Sequence, residues 1–89
     1  MEREELLKLI ESKEVIGVDL SGQKLEKIDF TGCRIERTSF KGCELVHCRF
    51  RNAKISWSDF RYAEIQHGTF EGAEIEFSDF YRAFIDGVV

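Results

Sequence analysis

The repeating pattern of this chain is clearest in residues 53–65, which read AKISWSDFRYAEI. A large apolar residue recurs every five positions in this stretch, and a small residue stands two positions before each of them. Leu, Phe and Ile make up about a quarter of the chain, so chance would give fourteen such positions in a row with odds on the order of one in 10^8. The series continues without a gap through Leu20, Leu25, Phe30, Ile35, Phe40, Leu45, Phe50, Ile55, Phe60, Ile65, Phe70, Ile75, Phe80 and Ile85.

A period of five residues fits neither a regular helix nor a flat strand. On an α-helix, a step of five residues moves about 140° away from the starting face, so the apolar residues would not share a face. On a strand, successive large residues would alternate between the two faces, and half of them would lie in water. We therefore expect the chain to turn a corner about every five residues, so that each large side chain points toward one shared axis.

The positions two residues before the large ones support the same interpretation. Protein interiors are packed at near-crystalline density, so a narrow coil has room for only one large side chain on each edge. The other three positions of each five are mostly charged or polar, and we expect them to face water. After Ile28, the positions two before the large ones are all small: Cys33, Thr38, Cys43, Cys48, Ala53, Ser58, Ala63, Gly68, Ala73, Ser78 and Ala83.

Blocks such as residues 33–37 (CRIER), 53–57 (AKISW) and 73–77 (AEIEF) resemble the pentapeptide repeat. That repeat has a small residue, then usually Asn or Asp, then Leu or Phe, then two variable residues. The resemblance covers roughly residues 18–87, although the polar position here is often Lys, Arg or Glu and Ile replaces Leu at many corners. It implies an all-β fold, a right-handed quadrilateral β-helix with four pentapeptides in each coil and about three and a half coils in this chain.

In that architecture, residues twenty apart stack along one face, about 4.8 Å apart like neighbouring strands. Residues 1–15 are predicted to form an N-terminal capping α-helix, and residues 16–89 the β-helix. The apolar side of the helix is predicted to consist of Leu6, Leu7 and Ile10, which would cover the open end of the first coil. Two interior columns are expected on opposite sides, one of Phe40, Phe60 and Phe80 and one of Phe30, Phe50 and Phe70.

The residue types that could bind a metal or carry out catalysis do not converge in this register. Cys33, Cys43 and Cys48 have zinc-ligand chemistry and lie near His47, but the cysteines fall on inward positions and His47 on an outward one. We therefore interpret the cysteines as buried core thiols. His47 and His67 share an outward column and are interpreted as solvated surface residues. We expect no catalytic residue, no metal and no cofactor, and we predict that the chain is not an enzyme.

The sequence also contains no pattern that predicts membrane insertion or secretion. No apolar stretch approaches the roughly 18 residues that a transmembrane helix needs. Residues 1–5 are mostly charged and do not resemble a secretory signal. The odd number of cysteines, three, fits a reducing compartment better than a disulfide framework. We expect a cytoplasmic protein.

Outward aromatic residues are concentrated in the last third of the chain, where no second helix is predicted to cover the coil. The twenty-residue register would place Trp57 on Phe77, and it would give crossed contacts of Arg61 with Tyr81 and Tyr62 with Arg82. Packing between coils would account for these residues, but clustered exposed aromatics with Arg are also typical of contact surfaces. We predict a homodimer through the C-terminal coil, with candidate interface residues Trp57, Tyr62, Phe77, Tyr81, Phe84, Val88 and Val89.

The distribution of charge along the chain bears on which of the non-enzymatic functions open to such a coil is favoured. Some members of the family that this chain resembles protect DNA gyrase from quinolone drugs, and the proposed mechanism is an acidic rod that imitates duplex DNA. Here residues 31–60 carry six basic and three acidic residues, between two acidic segments. Gyrase binding by DNA mimicry is therefore the alternative function. Direct nucleic-acid binding is not expected at a pI near 5.2. The favoured function is a non-enzymatic structural or protein-interaction module, whose partner is another protein or a second copy.

Overall fold

The computed structural model describes residues 1–89 as one α-helix followed by eight short strands. The helix, α1, spans Arg3–Ser12. No helix has the length and apolar character that crossing a membrane requires. The strands recur every ten residues: β1 (Glu14–Ile16), β2 (Lys24–Glu26), β3 (Arg34–Glu36), β4 (Glu44–Val46), β5 (Lys54–Ser56), β6 (Glu64–Gln66), β7 (Glu74–Glu76) and β8 (Phe84–Asp86).

The strands form two parallel four-stranded sheets, ordered β1-β3-β5-β7 and β2-β4-β6-β8. Paired residues lie twenty apart in sequence, as Val15 and Ile35 do in the first sheet. Isolated bridges such as Asp19–Ser39 and Asp29–Arg49 form the two sides between the sheets. The chain therefore makes about four turns of a square coil. The predicted β-helix with its short N-terminal helix and its twenty-residue register is confirmed.

The first coil begins earlier in the chain than the sequence pattern predicted. Val15 is completely buried, and its strand β1 pairs with β3. The boundary predicted between residues 15 and 16 therefore lies inside β1, and the chain has about four coils rather than three and a half. Val15 stands five residues before Leu20 and fills the same inward position with a smaller apolar side chain, so the repeat extends back to β1.

Each corner of the coil is made by one residue in the left-handed backbone region. Every fifth residue from Gly17 to Gly87 has a φ between 49° and 73°. An L-amino acid in this region costs roughly 1–2 kcal/mol relative to right-handed geometry, whereas glycine avoids the clash. The corners are therefore strained wherever a side chain is present. Nine corners carry one: Lys27, Arg37, His47, Asn52, Trp57, Tyr62, His67, Phe77 and Arg82.

Two stacked columns of phenylalanine fill the interior, as predicted. Phe30, Phe50 and Phe70 stack with ring centroids 4.7 and 4.8 Å apart, and the Phe40, Phe60 and Phe80 rings stack at 4.6 Å. The two columns meet edge to face, with centroid separations of 5.7–6.4 Å. Burial decreases toward the C-terminal coil, because no further coil covers it there. The inward residues Ile75 and Ile85 are 40% and 54% exposed.

The small inward positions have two different backbone environments. At Cys33 and Ala53, the backbone N–H donates to the carbonyl of the phenylalanine three residues earlier, so the side chain needs no polar atom. At Thr38 and Ser58, the backbone N–H instead donates to the hydroxyl of the residue twenty positions later. Thr38, Ser58 and Ser78 are called the hydroxyl column. Their hydroxyl groups replace the backbone acceptors that these N–H groups lack.

The three cysteines lie in the core as free thiols, as predicted from their inward positions. The Cys43 Sγ donates to the carbonyl of Leu20 over 2.8 Å, and the Cys48 Sγ donates to the carbonyl of Leu25 over 3.3 Å. Burial raises the pKa of the Cys43 thiol to about 11. At neutral pH these thiols are therefore protonated, and they act as small apolar residues that each satisfy a carbonyl.

Helix α1 packs against the first coil through a different face from the predicted one. Leu6 is buried and Ile10 is partly buried, as expected, but Leu7 is 40% exposed and Leu9 takes its place in the contact. The prediction for Leu7 was wrong because the contact is centred on Leu6, with Leu9 and Ile10 on either side of it, whereas Leu7 lies about 100° around the helix from Leu6. Lys13 adopts a left-handed conformation and ends the helix with a bond from its N–H to the Ile10 carbonyl.

Candidate interaction surfaces

Five outward aromatic residues form an exposed group on the C-terminal half of the coil. Their side chains project from one bridged side of the coil, its two corners and the following strand, β8. The C-terminal Val89 is 76% exposed, whereas Val88 is partly buried against the core. The structure therefore leaves six of the seven candidate interface residues accessible. The five are called the aromatic surface, with these exposed fractions: Trp57 59%, Tyr62 49%, Phe77 69%, Tyr81 54% and Phe84 56%.

The rings of the aromatic surface are arranged in two pairs. Trp57 stacks on Phe77 with centroids 4.6 Å apart and an interplanar angle of 13°, as the register predicted. Both residues occupy strained left-handed corners, with φ values of 53° and 54°. Tyr62 meets Tyr81 edge to face at 5.9 Å. Each ring covers part of its neighbour, yet all four stay about half exposed or more. Packing between coils therefore covers only part of the apolar surface of these four rings.

The crossed cation–ring contacts predicted for this surface are not formed. Arg61 instead holds Asp59 through two parallel bonds, with Nε 2.9 Å from Oδ1 and a terminal nitrogen 2.7 Å from Oδ2. This bidentate pair lowers the pKa of Asp59. A carboxylate two residues away outcompetes a ring, because a bidentate charged pair is stronger than an exposed cation–π contact. Arg82 lies over Tyr81 at 5.5 Å rather than over Tyr62.

The last coil also exposes residues that point inward elsewhere. Ile75 and Ile85 lie at the open end, next to the partly buried Phe70 and Phe80. Strand β7 pairs only with β5, and β8 pairs only with β6, so each has one unpaired edge. We call this open end the end face. It is continuous with Phe84 of the aromatic surface, since Phe84 precedes Ile85 in β8.

Half of the six basic residues between positions 31 and 60 are paired with acidic ones, namely Arg34, Arg37 and Arg51. Arg34 contacts Glu14 at 3.2 Å and Glu36 at 2.8 Å, and Arg51 contacts Glu71 at 3.1 Å. These pairs run between coils or along one strand. They reduce the positive charge that the basic segment presents to solvent.

A polar groove lies on the side of the coil opposite the aromatic surface. Its volume is about 500 Å³. The stacked imidazoles of His47 and His67, with centroids 5.4 Å apart, form part of its wall and confirm the predicted outward column. Sequence reasoning identified the histidines but missed the groove, because the groove depends on which residues flank two adjacent columns. It is lined by Lys27, Ile28, Asp29, His47, Arg49, His67, Gly68 and Thr69.

Comparison with known proteins agrees with the architecture. A family model described as a pentapeptide repeat region matches residues 14–87, which is the part of the chain that forms the coils. The matched region begins at β1. No curated protein matches the chain.

Solved structures of similar fold include three proteins that share 16–22% identity with this chain. One is a pentapeptide repeat protein from the Arabidopsis thaliana thylakoid lumen, 22% identical over 85% of this chain and 64% of that one, with a TM-score of 0.45. HetL, a Nostoc protein involved in heterocyst differentiation regulation, is 18% identical over 84% and 37%, with a TM-score of 0.47.

The third is QnrB1, a plasmid-mediated fluoroquinolone resistance protein. It is 16% identical over 83% of this chain and 54% of that one, with a TM-score of 0.55. At these identities the likeness concerns the fold alone. The chain spans between 37% and 64% of the length of these three proteins.

Proposed function

Because the chain belongs to the pentapeptide repeat family, we propose that it is a non-enzymatic protein-interaction module that forms a homodimer through its C-terminal coil. The observation that carries this proposal is the continuity of the end face with the aromatic surface. Ile75, Ile85 and Phe84 are each at least 40% exposed within one coil. Apolar patches of this kind on soluble proteins are typical of contact sites.

A second copy is the occupant that fits this end best. The end face presents unpaired strand edges and the open end of an apolar core, which is the surface that another coil of the same width and side-chain pattern would cover. In a two-fold contact, the same patch is used on both copies, so one interface would cover both open ends. Phe70 and Phe80, stacked on Phe50 and Phe60, are the last rings of the two columns, and each copy would present the same two rings to the other.

The acidic charge of the C-terminal coil opposes this contact, so the effect of salt shows whether apolar burial or ion pairs hold the dimer together. Residues 61–89 carry six acidic and two basic residues, so two copies would repel each other at low ionic strength. Salt screens exposed charges over about 10 Å at 0.1 M. A dimer that forms by apolar burial should therefore become tighter as salt is added, whereas one held by ion pairs should weaken.

The test is the molar mass in solution, measured by light scattering on a gel-filtration column over a range of protein and salt concentrations. We expect a mass near twice 10.4 kDa for the wild type, and a monomer for Phe84→Glu. Leu7→Glu is the matched control, since Leu7 is also a solvent-exposed large apolar residue but lies in α1, away from the end face. A monomeric wild type at every concentration, or equal behaviour of the two variants, would contradict the proposal.

The alternative, gyrase binding by DNA mimicry, has less support in this chain. A mimic of one turn of duplex needs continuous negative charge over about 34 Å, and the largest dimension of the molecule is 29 Å. The six basic residues between positions 31 and 60 interrupt its acidic segments. Inhibition of gyrase supercoiling by the purified protein would favour this alternative over a module that binds other partners.

A further inference from the structure

We propose that the groove between the His47–His67 column and the Arg49 side chain is a binding site for a phosphate group. The groove lies where two neighbouring columns of the coil meet. Lys27, His47 and His67 belong to the corner column, and Arg49 belongs to the adjoining side. We call it the basic groove. It is separate from the end face and the aromatic surface, so it adds a second kind of ligand to the proposed module.

Arg49 is the first observation that carries the proposal. It is the only arginine of this chain that makes neither an ion pair nor a side-chain hydrogen bond. Its guanidinium therefore keeps all five N–H donors for a ligand, in a planar arrangement that suits phosphate oxygens. The other six are all engaged: Arg3 with the Glu26 carbonyl, Arg34 with Glu14 and Glu36, Arg37 with Glu36, Arg51 with Glu71, Arg61 with Asp59, and Arg82 with Tyr81.

The shape of the groove is the second observation. Gly68 occupies the small position between the two columns, and a Cβ built there would overlap the Cys48 carbonyl oxygen. Gly68 also lines the groove, between His67 and Thr69. Two of the groove-lining residues, Lys27 and Arg49, are positively charged, and both are exposed. A ligand in the groove would therefore meet cationic and imidazole groups from both of its walls.

This arrangement suits a phosphate better than a carboxylate. A carboxylate is planar, and the fork of one arginine can satisfy both of its oxygens. A phosphate monoester carries about −1.5 to −2 charge near neutral pH and presents three terminal oxygens in different directions. Lys27 and the two imidazoles line one wall of the groove and Arg49 lines the other, so donors from two walls can serve more oxygens than one planar fork does.

Asp29 is the one acidic residue that lines the groove. Its Oδ1 accepts hydrogen bonds from the N–H and the hydroxyl of Thr31, and these bonds lower the pKa of the carboxyl. Asp29 is therefore negatively charged at neutral pH, and it repels an anion while it partly neutralises Arg49. This residue weakens the site in a way that a substitution can reverse.

The test is a titration of the protein with sodium phosphate and, separately, with O-phosphoserine, followed by the NMR signals of the His47 and His67 rings. Sodium chloride and sodium acetate at equal ionic strength are the reference titrations. We expect saturable shifts with both phosphate compounds, and only small, non-saturating shifts with chloride and acetate. Tighter binding of O-phosphoserine would assign the site to a phosphorylated side chain, and tighter binding of inorganic phosphate would assign it to the free ion.

Three variants locate the site. Arg49→Gln should weaken phosphate binding by about fivefold or more, the effect of losing a hydrogen bond to a charged group. Arg51→Gln is the matched control, since Arg51 lies in the same coil but pairs with Glu71 outside the groove, and binding should not change. Asp29→Asn keeps the acceptor for Thr31 and should tighten binding by about twofold or more, since a nearby negative charge is removed.

Two results would overturn the proposal. One is a linear, non-saturating response of the histidine signals to both phosphate compounds in the wild-type protein. The other is equal weakening by Arg49→Gln and Arg51→Gln, which would show that only the overall charge matters. Phe84→Glu should leave phosphate binding unchanged, so this site and the proposed dimer can fail independently.

Discussion

Replacement of Ser58 by alanine tests why the hydroxyl column exists. Ser58 is 3% exposed, and its Oγ accepts the N–H of Thr38 over 3.3 Å and donates to the Ser56 carbonyl over 3.1 Å. The Thr38 N–H has no backbone acceptor. Ser58→Ala removes one small atom and leaves a buried backbone donor without a partner. Its volume change is slight, so the loss of hydrogen bonding should dominate the effect.

The expected loss follows from the cost of an unsatisfied buried group. Such a group costs about 1–3 kcal/mol in folding free energy. Ser78→Ala is the control within the same column, because Ser78 accepts the Ser58 N–H over 3.1 Å in the same way. Ser78 is only partly buried in the last coil, so water can replace its hydroxyl there. We expect Ser78→Ala to lose less than about 1 kcal/mol, since exposed groups recover hydrogen bonds from solvent.

Urea unfolding of the wild type and the two variants measures these losses. With an m-value of about 1 kcal/mol per molar urea, typical of a small domain, Ser58→Ala should lower the midpoint by about 1–3 M. Amide hydrogen exchange of Thr38 gives the local measurement, and it should be faster in Ser58→Ala than in Ser78→Ala. The reasoning is refuted if both variants lose the same free energy and the exchange of the Thr38 amide does not change.

Three further predictions concern other positions of the coil. Gly68→Ala should lower the free energy of unfolding by about 1–3 kcal/mol, because its Cβ would overlap the Cys48 carbonyl oxygen; an unchanged urea midpoint would contradict this. Arg37→Gly should be more stable than Arg37→Ala by about 1 kcal/mol, since both remove the same charge and only alanine keeps the left-handed strain; equal melting temperatures would show that the corner is unstrained. Stability should fall as the pH rises from 9.0 to about 11, because the Cys43 thiol ionises at its ordinary pKa of 9.0 in the unfolded chain but keeps its proton in the folded one. Cys43→Ala should lack this part of the fall, and identical pH profiles of unfolding would reject the explanation.

The features that depend on one register were predictable from sequence. An unbroken period of five fixes which residues point inward and which residues lie twenty apart, so the phenylalanine columns, the buried cysteines and the Trp57–Phe77 stack all follow from it. A shift of one residue would have exposed every large apolar side chain, which is why the register is so strongly specified.

The features that depend on competition between neighbours were not predictable. The register placed Arg61 beside Tyr81, but only the structure shows that the Asp59 carboxylate takes both sides of the guanidinium. The register also placed a small residue two positions before each large one after Ile28, yet the difference between the hydroxyl column and positions such as Cys33 and Ala53 depends on which backbone N–H groups lack acceptors. The unpaired guanidinium of Arg49 could not be predicted either, because it depends on which partners the seven arginines find in the folded chain.

The constant separation of twenty residues between paired strands has a consequence for how the chain folds. Each new turn closes a loop of the same length, so its entropic cost is the same wherever it is added, and it depends little on how many turns already exist. Growth of the coil is then a series of equal steps, in which each turn rests only on the one before it. Helix α1 provides the first turn with a surface to rest on, and the order of assembly can therefore follow the order of the chain.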